Sequence, residues 1–140
     1  MPYKISAHCG LGNGAAAQVL ETLGADSINP VRDLTLPMIA ALRQAVKIPL
    51  DVHVDNTKTS GGFIRTYEAP DFVRVASPVY LKTDSSALAG HSTRATPQQT
   101  EDKLRQMEIT AEFMERHYPQ ARQSPTGVRQ ASDAPSLARP

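Results

Sequence analysis

The residues best suited to chemistry sit in a few short stretches. "PLDVHVD", Pro49 to Asp55, places Asp51, His53 and Asp55 at every second position, between Leu50, Val52 and Val54. Carboxylates and imidazoles move protons, and two imidazoles with a carboxylate can hold zinc, iron or manganese. His8, in "SAHCG", is the second imidazole such a set needs, so His8, His53 and Asp55 are the candidate ligands for a divalent metal. The competing reading is a histidine held by Asp51 or Asp55 in a buried hydrogen-bonded pair. Lys82, in "PVYLKT", could be a Schiff-base amine, an anchor for a phosphate or carboxylate, or a solvated strand-end lysine.

Binding groups accompany these. Asn29, Arg32, Arg65 and Asp51 are candidate substrate contacts, the two arginines for an anionic group. Cys9 follows His8 directly, but neighbours on a strand point to opposite faces, so Cys9 is expected to be buried and inert. "GLGNG", Gly10 to Gly14, resembles a phosphate cradle but matches neither GxGxxG nor a P-loop, and a tight strand-to-helix turn explains it equally. "SGG" before Phe63 reads as a turn first and an anion nest second.

These groups need elements to position them. "YKISAHCG" reads as a first strand. Ala15 to Leu23 reads as a helix with Asn13 as N-cap, Gly24 as stop and an apolar stripe of Ala16, Val19, Leu20 and Leu23. "ADSINPV" is a second strand. The next helix is capped by Thr35, has Pro37 in its first turn, and carries Met38, Ile39, Leu42 and Val46. "PLDVHVD" is the third strand. "FIRTYEAPDFVRVAS" reads as one helix kinked near Pro70 or two short ones, and "PVYLKT" as the fourth strand. "DSSALAGHSTRA" is a polar loop long enough to be functional. Thr96 to Gln99 is a capping box opening a helix to about Tyr118, with a stripe of Leu104, Met107, Ala111, Met114 and Tyr118. From Pro119 onward, four prolines and few large apolar residues predict a disordered tail over 119–140.

The order is β-α-β-α-β-α-β-α, which implies parallel strands with right-handed crossovers. An open doubly wound sheet and a (β/α)4 half of a TIM-type barrel over residues 1–118 both fit, and the half-barrel is the expected fold. Strand alternation supports it. Ser6 and His8, Ser27 and Asn29, Asp51, His53 and Asp55, and Tyr80 and Lys82 all fall on the face opposite the apolar residues. A barrel interior needing only packing would hold Val, Ile and Leu, and catalytic groups in barrels come from strand C-terminal ends. An open sheet with one solvated face would show the same alternation.

Bulk properties narrow the class. The 140 residues carry 15 basic and 14 acidic side chains, a net charge of +1. Nothing in that balance suggests nucleic acid or a membrane surface as partner. One cysteine permits no internal disulfide and predicts no iron–sulfur cluster from this chain alone. No apolar run approaches the roughly 18 residues of a membrane span, and no signal-peptide core is visible, so the expected location is cytoplasmic.

The phrases "SAHCGLGNGAAAQVLETLGADSIN", "DLTLPMIAALRQAVKIPLDVHVD", "GGFIRTYEAPDFVRVASPVYLKT" and "MERHYP" resemble bacterial proteins of the U-thirty-two peptidase family, the collagenase-like peptidases, over about Lys4 to Tyr118. The resemblance implies a TIM-barrel-like catalytic domain and a peptidase or hydrolase activity on a peptide or small-molecule substrate. It assigns no catalytic residue. The family's cysteine-containing signature beside a His-Gly pair is absent, "HCG" at His8 to Gly10 being the nearest stretch. A whole barrel takes roughly 200 to 250 residues. The chain is therefore expected to be the C-terminal half of a longer barrel, or a half-barrel that forms a homo-oligomer. A lyase or aldolase-like barrel using Lys82 and a non-catalytic binding or assembly fragment are the alternatives.

Overall fold

The computed structural model describes residues 3–58, 61–84 and 96–124. Four short parallel strands form one sheet: β1 (Lys4–Ile5), β2 (Ser27–Ile28), β3 (Leu50–His53) and β4 (Val79–Lys82). They lie side by side in chain order. Helices α1 (Gly14–Thr22), α2 (Leu36–Ala45), α3 (Ala69–Ala76) and α4 (Pro97–His117) connect or follow the strands, and each packs against the next. The fold is mixed α/β with a four-stranded parallel sheet.

The strand register decides what each face carries. Ile5 pairs with Ile28, Ile28 with Leu50, Leu50 with Val79 and Val52 with Leu81, giving an apolar face. That face packs against Leu11, Ala17, Ile39, Leu42, Phe72 and Ala76 in one continuous core. Asp51 pairs with Tyr80 and His53 with Lys82, so the polar positions share the other face.

Local signals set the helix ends. Asn13 Oδ1 accepts from the Ala16 N–H at 3.0 Å, and Thr96 and Gln99 form the reciprocal capping box. Gly24 stops α1 at φ +91°. Gly14 serves close packing: a Cβ there would lie 2.8 Å from Ala45 Cβ on α2.

Several expectations are corrected. The first strand ends at Ile5, because Ser6 accepts from the His8 N–H and caps a 3₁₀ turn at Ala7–Cys9. His8 and Cys9 are both exposed, so Cys9 is not a core residue. Residues 63–65 are not helical. Ile64 instead bridges Asp55, a 3₁₀ turn spans Thr66–Glu68, and Pro70 falls in the first turn of α3, where its missing N–H is tolerated. The stripes of the end helices differ from expectation: Ala17 is the buried residue of α1 and Thr110 that of α4, while Val19, Leu23, Leu104 and Met107 are exposed. The 85–95 part of the polar loop and residues 125–140 of the expected disordered tail lie outside the described residues.

Candidate functional site

The polar face of the sheet forms a shallow cleft of about 430 Å³ lined by Lys4, Ser6, Asn29, Asp51, Tyr80 and Lys82, among others. Strand alternation brings these residues together, since each is an every-second-residue position of a parallel strand or its continuation. Lys4 reaches across the sheet from β1: its Nζ is 2.9 Å from Asp51 Oδ2 on β3 and 5.0 Å from the centre of the Tyr80 ring on β4.

Asn29 is the hub. Its neighbours fix the orientation of its amide, with two carbonyl oxygens on one side and two donors on the other. Nδ2 donates to the Pro30 and Asp51 carbonyls at 3.2 and 3.1 Å. Oδ1 accepts from His53 Nε2 at 3.2 Å and Lys82 Nζ at 3.0 Å. All of its hydrogen-bonding capacity is used, and the arrangement puts the His53 proton on Nε2. Lys82 is exposed and has no carboxylate within ion-pair distance among the described residues.

Behind Asn29 the site is dry. The His53 side chain is fully buried, and its Nδ1 lies 3.4 Å from Asp84 Oδ2. Arg32 Nη2 lies 3.4 Å from the same oxygen. These separations are within ion-pair reach, yet His53 Nδ1, Asp84 Oδ2 and Arg32 Nε make no hydrogen bond. Burial pushes the His53 pKa below its ordinary value of 6.5. The Asp84 carboxylate pulls it upward, and the positive charges of Lys82 and Arg32 push it further down. Burial is the largest of these effects, so the pKa stays below its ordinary value.

Asp51 lines the cleft with one oxygen on Lys4, while its Oδ1 is buried and makes no hydrogen bond; Ser27 Oγ is in the same condition. Buried polar atoms without partners are costly, which makes them candidate contacts for a bound group or water.

The sequence-derived candidates separate into two groups. Asn29, Arg32, Asp51, His53 and Lys82 are brought together. Asp55 has a supporting role: its Oδ1 accepts from Thr83 Oγ1 at 2.6 Å and from the Asp84 N–H at 2.8 Å, which ties the exit of β4 to β3. Arg65 is engaged elsewhere, donating to the Leu34 carbonyl and to Glu68 and lying over the Phe72 ring. His8 sits on the 3₁₀ turn after β1. Among the described residues no three His, Cys, Asp or Glu side chains are placed to hold a metal, so the set His8, His53 and Asp55 is not assembled.

Lys4 and Asp84 were not singled out from the sequence. Both were within reach of the alternation rule: Lys4 is two residues before Ser6, and Asp84 two after Lys82. No helix among the described residues is long and apolar enough to cross a membrane. Comparison with family models, with curated proteins and with solved structures found no match.

Proposed function

We propose that the chain supplies four β/α units of a TIM-type barrel hydrolase, of the peptidase kind its sequence resembles, with the substrate in the polar cleft. The sequential strand order and the single row of helices support the half-barrel reading. One observation carries the site assignment: the hydrogen-bonded chain from Lys82 Nζ through Asn29 Oδ1 to His53 Nε2. Its outer end is open to the cleft and its inner end is buried.

In this reading Lys82 donates to the scissile carbonyl oxygen and stabilises the negative charge that develops there. Asp51, whose Oδ2 pairs with Lys4 at the cleft, takes the proton of the attacking water and passes it to the leaving amine as the scissile C–N bond breaks. His53 does not reach the substrate, because its side chain is wholly buried. It is a positioning residue that fixes the Asn29 amide, and Arg32 with Asp84 closes the cluster from behind.

A scan of fluorogenic peptides tests the proposal. Wild type is expected to cleave at least one, and Lys82→Met and Asp51→Asn to lower kcat/KM by about 100-fold or more, the scale of losing one oxyanion donor. Cleavage unchanged in both variants, or none by wild type, contradicts it. The exposed Lys82, with no carboxylate partner among the described residues, favours one second reading, a lyase that uses its amine. Borohydride reduction with a carbonyl substrate would then attach an adduct to Lys82, and an unmodified lysine rules that reading out.

A further inference from the structure

The two end helices carry apolar stripes that nothing in the described structure covers. On α1, Gly14 faces α2, close to Ala45, and Glu21 accepts from the Lys47 and Ile48 N–H groups at the exit of α2. Ala17 and Leu20 face the core. At roughly 100° per residue, Val19 and Leu23 then lie on the side turned away from α2, while Ala16 beside them still touches the core. Val19 is 58% exposed and Leu23 74%. On α4, Gln106 donates to Thr66 Oγ1 beside α3, while Thr110 and Met114 face inward. Leu104, Met107 and Ala111 lie on the side turned away from α3 by the same count. Leu104 is 54% exposed and Met107 56%.

These stripes flank the two ends of the sheet. α1 begins the row of helices and α4 ends it, and among the described residues β1 and β4 each pair with one neighbour only. Among the described residues each end therefore offers a strand with unpaired backbone groups beside an apolar helix face, a combination that invites another strand and helix. The two ends are complementary. β1 and β4 are parallel members of one sheet, so the β4 edge of one copy can receive the β1 edge of another while α4 packs on α1. A two-fold axis makes both joins at once and leaves no open edge.

We propose that a second copy of this chain docks on both ends, β4 and α4 of each copy against β1 and α1 of the other, and closes an eight-stranded barrel around the polar cleft. The inference rests on the half-barrel reading above. It completes the same site, because the cleft is open at the β4 edge, where Tyr80 is 43% exposed. The second copy supplies the missing wall, and two Lys82–Asn29–His53 chains face one interior.

Light scattering after gel filtration of the full chain tests this. A mass of two chains is expected. Val19→Glu with Leu23→Glu, and separately Leu104→Glu with Met107→Glu, are expected to give monomers that keep their helical circular dichroism. A second measurement does not depend on those variants. In a Cys9→Ser background, Val19→Cys combined with Met107→Cys should yield a covalent dimer on oxidation, since the two positions lie at opposite ends of the helix row within one chain. A folded wild-type monomer, an open-ended series of larger oligomers, or a dimer that both glutamate pairs leave intact overturns the proposal. A monomer that still cleaves peptide refutes the dimer alone. A dimer without cleavage refutes the hydrolase reading alone.

Discussion

The two faces of β3 and its continuation are equally buried and opposite in chemistry. Leu50, Val52 and Val54 point into the helix layer; Asp51, His53 and Asp55 point the other way, and all six are buried. The apolar face is satisfied by packing alone, against Phe72, Ile39 and Leu42. The polar face is only partly satisfied. Asp55 Oδ1 holds both Thr83 and Asp84, but Asp51 Oδ1 and His53 Nδ1 make no hydrogen bond. A face selected for stability alone would not leave such atoms unmatched, because apolar residues of similar size would serve as well or better. The comparison separates the face that packing satisfies from the face that carries the proposed site.

Four substitutions or conditions would break or sharpen that contrast, in descending order of expected effect on stability. Phe72→Ala, at a fully buried site on the helix side, should cost about 3–5 kcal/mol in urea denaturation. A cost near zero would mean that the helix layer is not the source of stability. Asp55→Ala should cost about 1–3 kcal/mol by leaving the Asp84 N–H and the Thr83 hydroxyl without their acceptor. It should also lower any cleft activity by loosening Asp84. Gly14→Ala should cost about 1–3 kcal/mol, since its Cβ would press on Ala45 and part α1 from α2. It should leave the cleft chemistry unaltered.

The fourth concerns pH. Burial lowers the His53 pKa in the folded chain, so the unfolded chain binds a proton more readily. The His53 contribution to stability is therefore complete above the unfolded value of about 6.5 and is lost as pH falls from there toward the folded value. Urea midpoints measured from pH 7.5 down to 5.5 should show this decline, and His53→Gln should flatten it. An unchanged decline in the variant would assign it to other groups.

Much of this was legible in the sequence. The period-two alternation in "PLDVHVD" and "PVYLKT" separated the two faces correctly, because a parallel strand covered by helices has no freedom to turn over. The caps at Asn13 and Thr96 were legible because they depend on a few adjacent residues. What failed depended on distant partners. Ser6 has a strand-like position, but capping the Ala7–Cys9 turn takes His8 off the sheet. Arg65 follows two glycines like an anion-binding arginine, yet the Leu34 carbonyl and Glu68 claim it. The stripes read for α1 and α4 placed Val19, Leu23, Leu104 and Met107 inward, yet all four are exposed, because periodicity alone does not say what covers a stripe.

The most direct test of the central claim is NMR titration of the chain with a short blocked peptide, following the Asn29 side-chain amide and the Lys82 ammonium. The account predicts concerted shifts at both groups, a His53 ring protonated on Nε2 throughout, and loss of the response in Lys82→Met. Shifts confined to other residues, or a response that survives Lys82→Met, would show that the polar face is not the site.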